Sequence, residues 1–386
     1  MIEILERGDC CGCTACVNAC PVQCIVMRKD REGFDYPLAD SYKCIGCGKC
    51  EEVCPVISPM PERKPLAVLG GRCGEYVARS ASGGIFPYLA EKVTGLGGLV
   101  YGAAFEADMS VSHREAKDMN EVECFRGPKY VQSELYAVFD DVRENLAEGR
   151  SVLFSGTPCQ VAGLKNYIGR DDAGLWTVDF ACHGVPPPAL WKRYAGSLEK
   201  RYGAELSGVS FRDKARSWMH YDVVYEFRKD GEHCRTVRTK YMEDPYMALF
   251  VQNMTLRPSC YNCPVRCGRS GSDLTLGDLW NVRNCLPELD DDAGTGLVLV
   301  NTERGRQMLE GLALREIDHG AAVGNNGGFA VHSAVPERRE EFFAGLDSAP
   351  CLHGYMSEFV KKESWARRAG KSLRRLAGLL KRRIMG

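Results

Sequence analysis

No stretch of these 386 residues is apolar for long enough to cross a membrane. None approaches the roughly 18 residues that a spanning helix needs. The opening, Met1-Ile2-Glu3-Ile4-Leu5-Glu6-Arg7, lacks a basic segment followed by an apolar one, so the expectation is no secretory signal and a cytoplasmic protein. G-x-x-x-x-G-K-[ST], H-E-x-x-H and G-x-S-x-G are all missing, which removes the basis for P-loop NTPase, zinc-protease and serine-hydrolase chemistry. The glycine-rich stretch at 94–101 places Val100 where a dinucleotide fingerprint needs its third glycine after Gly95 and Gly97.

Charge is also short, at −1 overall, but it is unevenly spread. Residues 361–386 hold ten Lys or Arg against Glu363 alone, leaving a body of net charge −10. Such a body does not suit nucleic acid. The tail spaces Trp365, Ala369, Leu373, Leu376, Leu380 and Ile384 as one face of a helix. It would dock on the acidic body, on an acidic partner, or peripherally on the anionic inner face of the membrane.

What the sequence has in excess is cysteine, 20 in all. In a reducing compartment, dense and regularly spaced thiols point to metal rather than disulfides. Cys10, Cys13, Cys16 and Cys20 with Pro21 read C-x2-C-x2-C-x3-C-P, and Cys44, Cys47, Cys50 and Cys54 with Pro55 repeat it. This is the spacing of a ferredoxin with two [4Fe–4S] clusters. Three thiolates of one run wrap a cubane and the fourth reaches the other cluster. Cys10, Cys13, Cys16 and Cys54 should therefore bind one cluster, and Cys20, Cys44, Cys47 and Cys50 the second. Zinc knuckles, the alternative, usually show two separated C-x2-C pairs. Cys11 and Cys24 fall outside the pattern and read as packing residues or modulators of the clusters. Gly33 at the centre of residues 25–38 predicts a hairpin.

A proline-rich linker at 58–65 separates this module, residues 1–58, from the body. The length, with 45% apolar and 26% charged residues, suits two or three globular domains. Residues 66–71 read as a strand, and Ser82-Gly83-Gly84 precedes a helix over 85–93, where free N–H groups suit a phosphate. Strands at 151–155 and 175–180, each followed by a turn and a helix (161–168 after the first), predict a parallel βαβ unit. Cys159 and Cys182 then lie just past two strand ends, the edge where α/β sheets place ligands. Cys260-x2-Cys263 needs two more ligands. Cys159 and Cys182 are the candidates for a third [4Fe–4S] cluster, with Cys267 as local competitor and a structural zinc as the alternative. His183 offers a proton or hydrogen bond to a redox cofactor, and Lys129 a cation for a flavin or phosphate; each reads equally well as a structural residue. Residues 211–218 add several cations beside aromatics.

In this order, Ser82-Gly83-Gly84, residues 128–133, residues 156–160, residues 182–186, Cys260-x2-Cys263 and residues 272–278 behind a two-cluster ferredoxin resemble the coenzyme F420 hydrogenase/dehydrogenase beta-subunit family, over roughly residues 1–340. One departure is Gly277-Asp278-Leu279-Trp280-Asn281 in place of Gly-Asp-Phe-Trp-Gly. The resemblance implies a multidomain α+β and α/β chain: the ferredoxin, a mixed α/β beta-subunit body (66–150 and 151–350), and a basic amphipathic helical tail (355–386). It implies FAD held among Ser82, Gly83, Gly84, Lys129, Thr157, Pro158, Gln160, His183 and Gly184. It also implies electrons passing between a hydride carrier, FAD and iron–sulfur clusters to a redox partner protein or ferredoxin. Relatives include a reductase of chlorophyll derivatives and bacterial members encoded near polysaccharide-synthesis genes. The second reading is a flavin-free electron-transfer subunit.

Overall fold

The computed structural model describes residues 1–361 except 170, 325, 331 and 332; the predicted tail helix falls almost entirely outside the described residues. No helix among the described residues is long and apolar enough to cross a membrane.

The N-terminal module forms the expected hairpin, β1 (Ile25–Lys29) antiparallel to β2 (Asp35–Ala39). Asp30 Oδ1 closes its turn by accepting from the backbone N–H groups of Glu32 and Phe34. Each cysteine run enters a single helical turn, Ala15–Asn18 or Lys49–Glu52, through a left-handed residue, so the internal repeat is also a repeat of backbone shape.

The body is built on one eight-stranded mixed sheet. In chain order its first strands are β3 (Ala67–Gly71), β4 (Leu99–Phe105), β5 (Val111–Ala116), β6 (Val152–Ser155) and β7 (Leu175–Phe180). A separate antiparallel sheet follows: β8 (Glu205–Asp213), β9 (Asp222–Lys229) and β10 (Glu232–Lys240). The main sheet then gains β11 (Leu274–Asp278), β12 (Gly296–Val300) and β13 (Arg315–Glu316), giving the order β13-β3-β12-β11-β7-β6-β4-β5. The pairs β4–β6, β6–β7 and β7–β11 are parallel, and the flanking pairs are antiparallel. The sheet takes strands from both 66–150 and 151–350, which therefore form one layer.

The continuous apolar runs of these strands have a two-faced explanation. Leu99, Tyr101, Val152 and Phe154 enter one core, and Val100, Ala104 and Leu153 enter the other. A strand covered on both sides loses the apolar–polar alternation of a half-exposed one. Helix Ile85–Gly95 covers the second face and helix Pro158–Ile168 the first.

Helix Pro158–Ile168 begins earlier than its apolar pattern predicts. Pro158 takes the first helical position, and Thr157 and Gln160 form a reciprocal capping box. Cys159, expected in a turn, is thereby fixed in the first helical turn.

Candidate metal and redox site

The two ferredoxin quartets segregate as the spacing requires. One cavity is lined by Cys10, Cys13, Cys16 and Cys54, and a second by Cys20, Cys44, Cys47 and Cys50. Each spans about 320 Å³, its open side included. All of these thiols are free. The donor set and its distribution fit two [4Fe–4S] clusters. Cys24 adds its sulfur 3.4 Å from that of Cys20 and directs its N–H to the same atom.

Cys159, Cys182, Cys260 and Cys263 come together at the C-terminal edge of β6 and β7. Each of these sulfurs raises the thiol pKa of others in the group, and every pair among the four is linked in this way. Burial is the larger cause for Cys182, Cys260 and Cys263, and it pushes Cys260 up to about 12. Thiols so disfavoured as isolated anions become good ligands only when a metal supplies the compensating charge. Among the described residues, no three metal-binding side chains surround a single point closely enough to hold one ion. The ferredoxin cysteines are spread in the same manner, as thiolates on the corners of a cube must be.

Two loops make this convergence possible. Gly184, at φ +143°, leaves room where a Cβ would stand 3.0 Å from Leu256 and 3.2 Å from Cys260 Cβ. Beside it, the Arg257 N–H donates to the Val185 carbonyl at 3.0 Å. The buried Arg266 lies against the group, its Nη2 donating to the His183 and Cys260 carbonyls. Cys267 turns away, its Sγ 3.8 Å from the Phe329 carbonyl.

Sequence reasoning missed how Cys11 is used. It is buried, and its thiol interacts electrostatically with those of both Cys13 and Cys159, so one ferredoxin thiol stands between a first-quartet cysteine and the body group. Cys13 also rests on helix Pro158–Ile168, where a Cβ at Gly163 would stand 3.0 Å from its sulfur. Adjacency of Cys10 and Cys11 in sequence carries no sign of this; only the docking of the module reveals it.

A hydrogen-bonded chain holds Cys159 from the other side. His113 Nε2 donates to the Ser155 carbonyl (3.0 Å), which leaves Nδ1 to accept from Ser133 Oγ (3.0 Å). Gln160 Nε2 donates to Ser133 (2.8 Å), its Oε1 accepts from the Thr157 N–H (2.9 Å), and Thr157 Oγ1 lies 3.1 Å from Cys159 Sγ. Burial pushes His113 down to about 4 from its ordinary 6.5. Its folded pKa lies below the unfolded one, so its stability contribution is complete above about pH 6.5 and declines as the pH falls toward 4. Urea titrations at stepped pH should show a steeper acid loss for the native chain than for His113→Gln; equal slopes would remove His113 from this account.

The predicted flavin residues occupy two regions. Thr157, Pro158 and Gln160 form the helix start just described. His183 is half-buried, places Nε2 3.2 Å from the Phe250 carbonyl and meets that ring edge-on, and burial lowers its pKa. Ser82 donates to the Thr295 carbonyl, and Gly83 packs where a Cβ would meet Gly296 N at 2.4 Å. Gly84 caps helix Ile85–Gly95. Lys129 directs Nζ to the carbonyls of Cys124, Arg126 and Gly127, and burial pushes its pKa down to about 7.

Between these regions lies Arg212, part of the cationic 211–218 segment. Its Nη1 donates to Asp278 at 2.6 Å, and its guanidinium faces the rings of Tyr221 and Trp280 at 4.9 and 5.1 Å. Its Nε and Nη2 are buried and find no hydrogen-bond acceptor among the described residues. Tyr130 is held, through burial first, above its usual pKa in a setting shared with Arg212, Asp278 and Cys182. Lys214 donates to the carbonyls of Val77, Ala293 and Ser82.

Residues 9–57 match the 4Fe-4S dicluster domain, and residues 149–318 match the family described as the C terminus of the coenzyme F420 hydrogenase/dehydrogenase beta subunit. No curated protein matches the sequence. One solved structure, described as a xenon derivatization of the F420-reducing [NiFe] hydrogenase complex from Methanosarcina barkeri, is 14% identical. The match covers 64% of this chain and 78% of that one, with a TM-score of 0.43. Residues 149–318 are thus similar to the C terminus of the coenzyme F420 hydrogenase/dehydrogenase beta subunit, behind a segment at 9–57 that matches a 4Fe-4S dicluster domain.

Proposed function

We propose that this iron–sulfur electron-transfer oxidoreductase binds FAD and a third [4Fe–4S] cluster and exchanges electrons between a hydride carrier, such as a deazaflavin, and a partner protein. The observation that carries the reading is the gathering of Cys159, Cys182, Cys260 and Cys263 at the parallel-strand edge, with Cys11 of the ferredoxin against Cys159.

A bound flavin would supply the conversion between two-electron hydride transfer and one-electron cluster chemistry. Tyr130 lies within electrostatic reach of both Arg212 and Cys182, so the two cofactors would be neighbours. Arg212, with unpaired N–H groups facing an aromatic wall, suits a delocalised anion. Lys129, His183 and the Ser82–Gly84 turn shape the remaining walls through their backbone partners. Cys11 would bring the first ferredoxin cluster next to the third. The second set is outermost, with Cys47 exposed and Tyr42 and Ile45 standing free beside it, which suits contact with a redox partner.

Anaerobic purification should yield about twelve irons per chain, for three four-iron clusters, together with bound flavin. The loaded protein should then be reduced by a hydride donor from a panel of reduced deazaflavin, NADH and NADPH. About eight irons and no flavin would instead establish the flavin-free carrier.

A further inference from the structure

We propose that Arg257 is a positioning residue that separates the reduction potentials of the two ferredoxin clusters, raising that of the cluster held by Cys10, Cys13, Cys16 and Cys54. The inference rests on the ferredoxin half of the proposed function and is independent of flavin.

Arg257 belongs to the body, immediately before helix Pro258–Tyr261, which carries Cys260. It is fully buried, yet it reaches into the first cysteine loop. Its Nε donates to the Cys10 carbonyl at 2.8 Å, and its Nη2 lies 3.6 Å from Cys10 Sγ and donates to the Asp35 carbonyl at 2.8 Å. Its Nη1 donates to Gln132 Oε1 at 3.0 Å, and Gln132 Nε2 in turn donates to the Cys11 carbonyl at 3.3 Å. The ring of Tyr36 stacks over the guanidinium at 4.3 Å and that of Phe34 lies at 5.3 Å. Gly12, at φ +71°, is what admits this group: a Cβ there would stand 2.6 Å from Gln132 Nε2 and 2.8 Å from Arg257 Nη1.

Burying a cation is costly without a counter-charge. Among its described hydrogen-bond partners none is a carboxylate: they are carbonyls, an amide and a cysteine sulfur. A thiolate-ligated cluster is the anion that fits. When that cluster gains an electron its negative charge grows, and a fixed guanidinium donating toward a ligand sulfur favours the reduced state. Among the described residues, no guanidinium is hydrogen-bonded to a sulfur of the second quartet, whose Cys20 sulfur is met by backbone N–H groups and by the sulfur of Cys24. The two clusters, alike in ligands, thereby differ in field, and the higher-potential one is the cluster that faces the body.

Potentiometric EPR on the anaerobically purified full-length chain tests this, with Cys47→Ser marking the second cluster's signal. Arg257→Gln should lower the first cluster's electron affinity about tenfold relative to the second, about 59 mV for one electron. Arg257→Lys, which keeps the charge and loses the fork, should shift it in the same direction by less. Equal shifts of both clusters, or none in either variant at unchanged iron content, would overturn the proposal. So would loss of the first cluster from both variants, since that would make Arg257 a clamp only.

Discussion

Cys182→Ser is expected to lower the iron content from about twelve to about eight per chain, and to abolish electron exchange between the hydride donor and the ferredoxin. The EPR signals of the two ferredoxin clusters should survive, because none of their ligands is altered. The reason lies in the sheet. Cys182 follows β7 directly, its sulfur is linked electrostatically to each of Cys159, Cys260 and Cys263, and serine offers a poorer ligand for iron at the same place. Cys267→Ser is the paired control. Its sulfur faces the Phe329 carbonyl, so the iron content should remain near twelve. Iron and sulfide assays on both variants decide the matter. An undiminished iron content in Cys182→Ser, or a drop in Cys267→Ser, would redraw the ligand set.

The second large effect is expected where the ferredoxin hairpin enters the body. Glu32, in its turn, is met by Arg339 Nη1 and Nη2 at 3.0 and 2.6 Å, with both side chains buried. Arg7 pairs with the same carboxylate, and Arg339 also donates to the Leu256 carbonyl and the Tyr261 hydroxyl. Neighbouring Gly33 presses on Ala189, where no Cβ would fit. Arg339→Met should destabilise the docked module by about 3 kcal/mol, the lower end for breaking a buried pair, because Arg7 still holds the Glu32 carboxylate. Pairing it with Glu32→Gln should recover part of that loss. Denaturation curves, or the rate of proteolysis in the 58–65 linker, would measure it. A change below about 1 kcal/mol would mean that the pair is no better than an exposed one. Acid should act on the same contact. Burial by itself raises the Glu32 carboxyl, but Arg339 and Arg7 outweigh it and hold the pKa below its ordinary 4.5. The pair's contribution is therefore present above about pH 4.5 and is lost as the pH falls through the lowered value.

Some of this molecule could be read from its letters. The two cysteine runs specified their own cross-paired quartets, because ligand spacing in a cubane loop is set by local backbone geometry, and the structure divides the cysteines accordingly. The hairpin about Gly33 and the parallel β6–helix–β7 unit were legible for a similar reason, since turn chemistry and apolar runs are local signals. The start of helix Pro158–Ile168 was misjudged because a capping box competes with apolar periodicity as a boundary marker.

Other features had no local signature. Arg257 stands 247 positions from Cys10 and Arg339 stands 307 from Glu32, and neither belongs to a motif. Arg212 looked like one cation among several in a charged segment, yet of that segment's cations it is the one whose side chain is buried with unpaired N–H groups beside Trp280 among the described residues. The sequence by itself determined how the eight motif cysteines divide into two sets and where the parallel β6–helix–β7 unit lies, because both follow from signals a few residues apart. Only the tertiary structure decided that Cys11 meets Cys159, that four distant cysteines converge, and which buried arginines hold the module in place. Those are choices between surfaces that docking creates, and no stretch of chain encodes them alone.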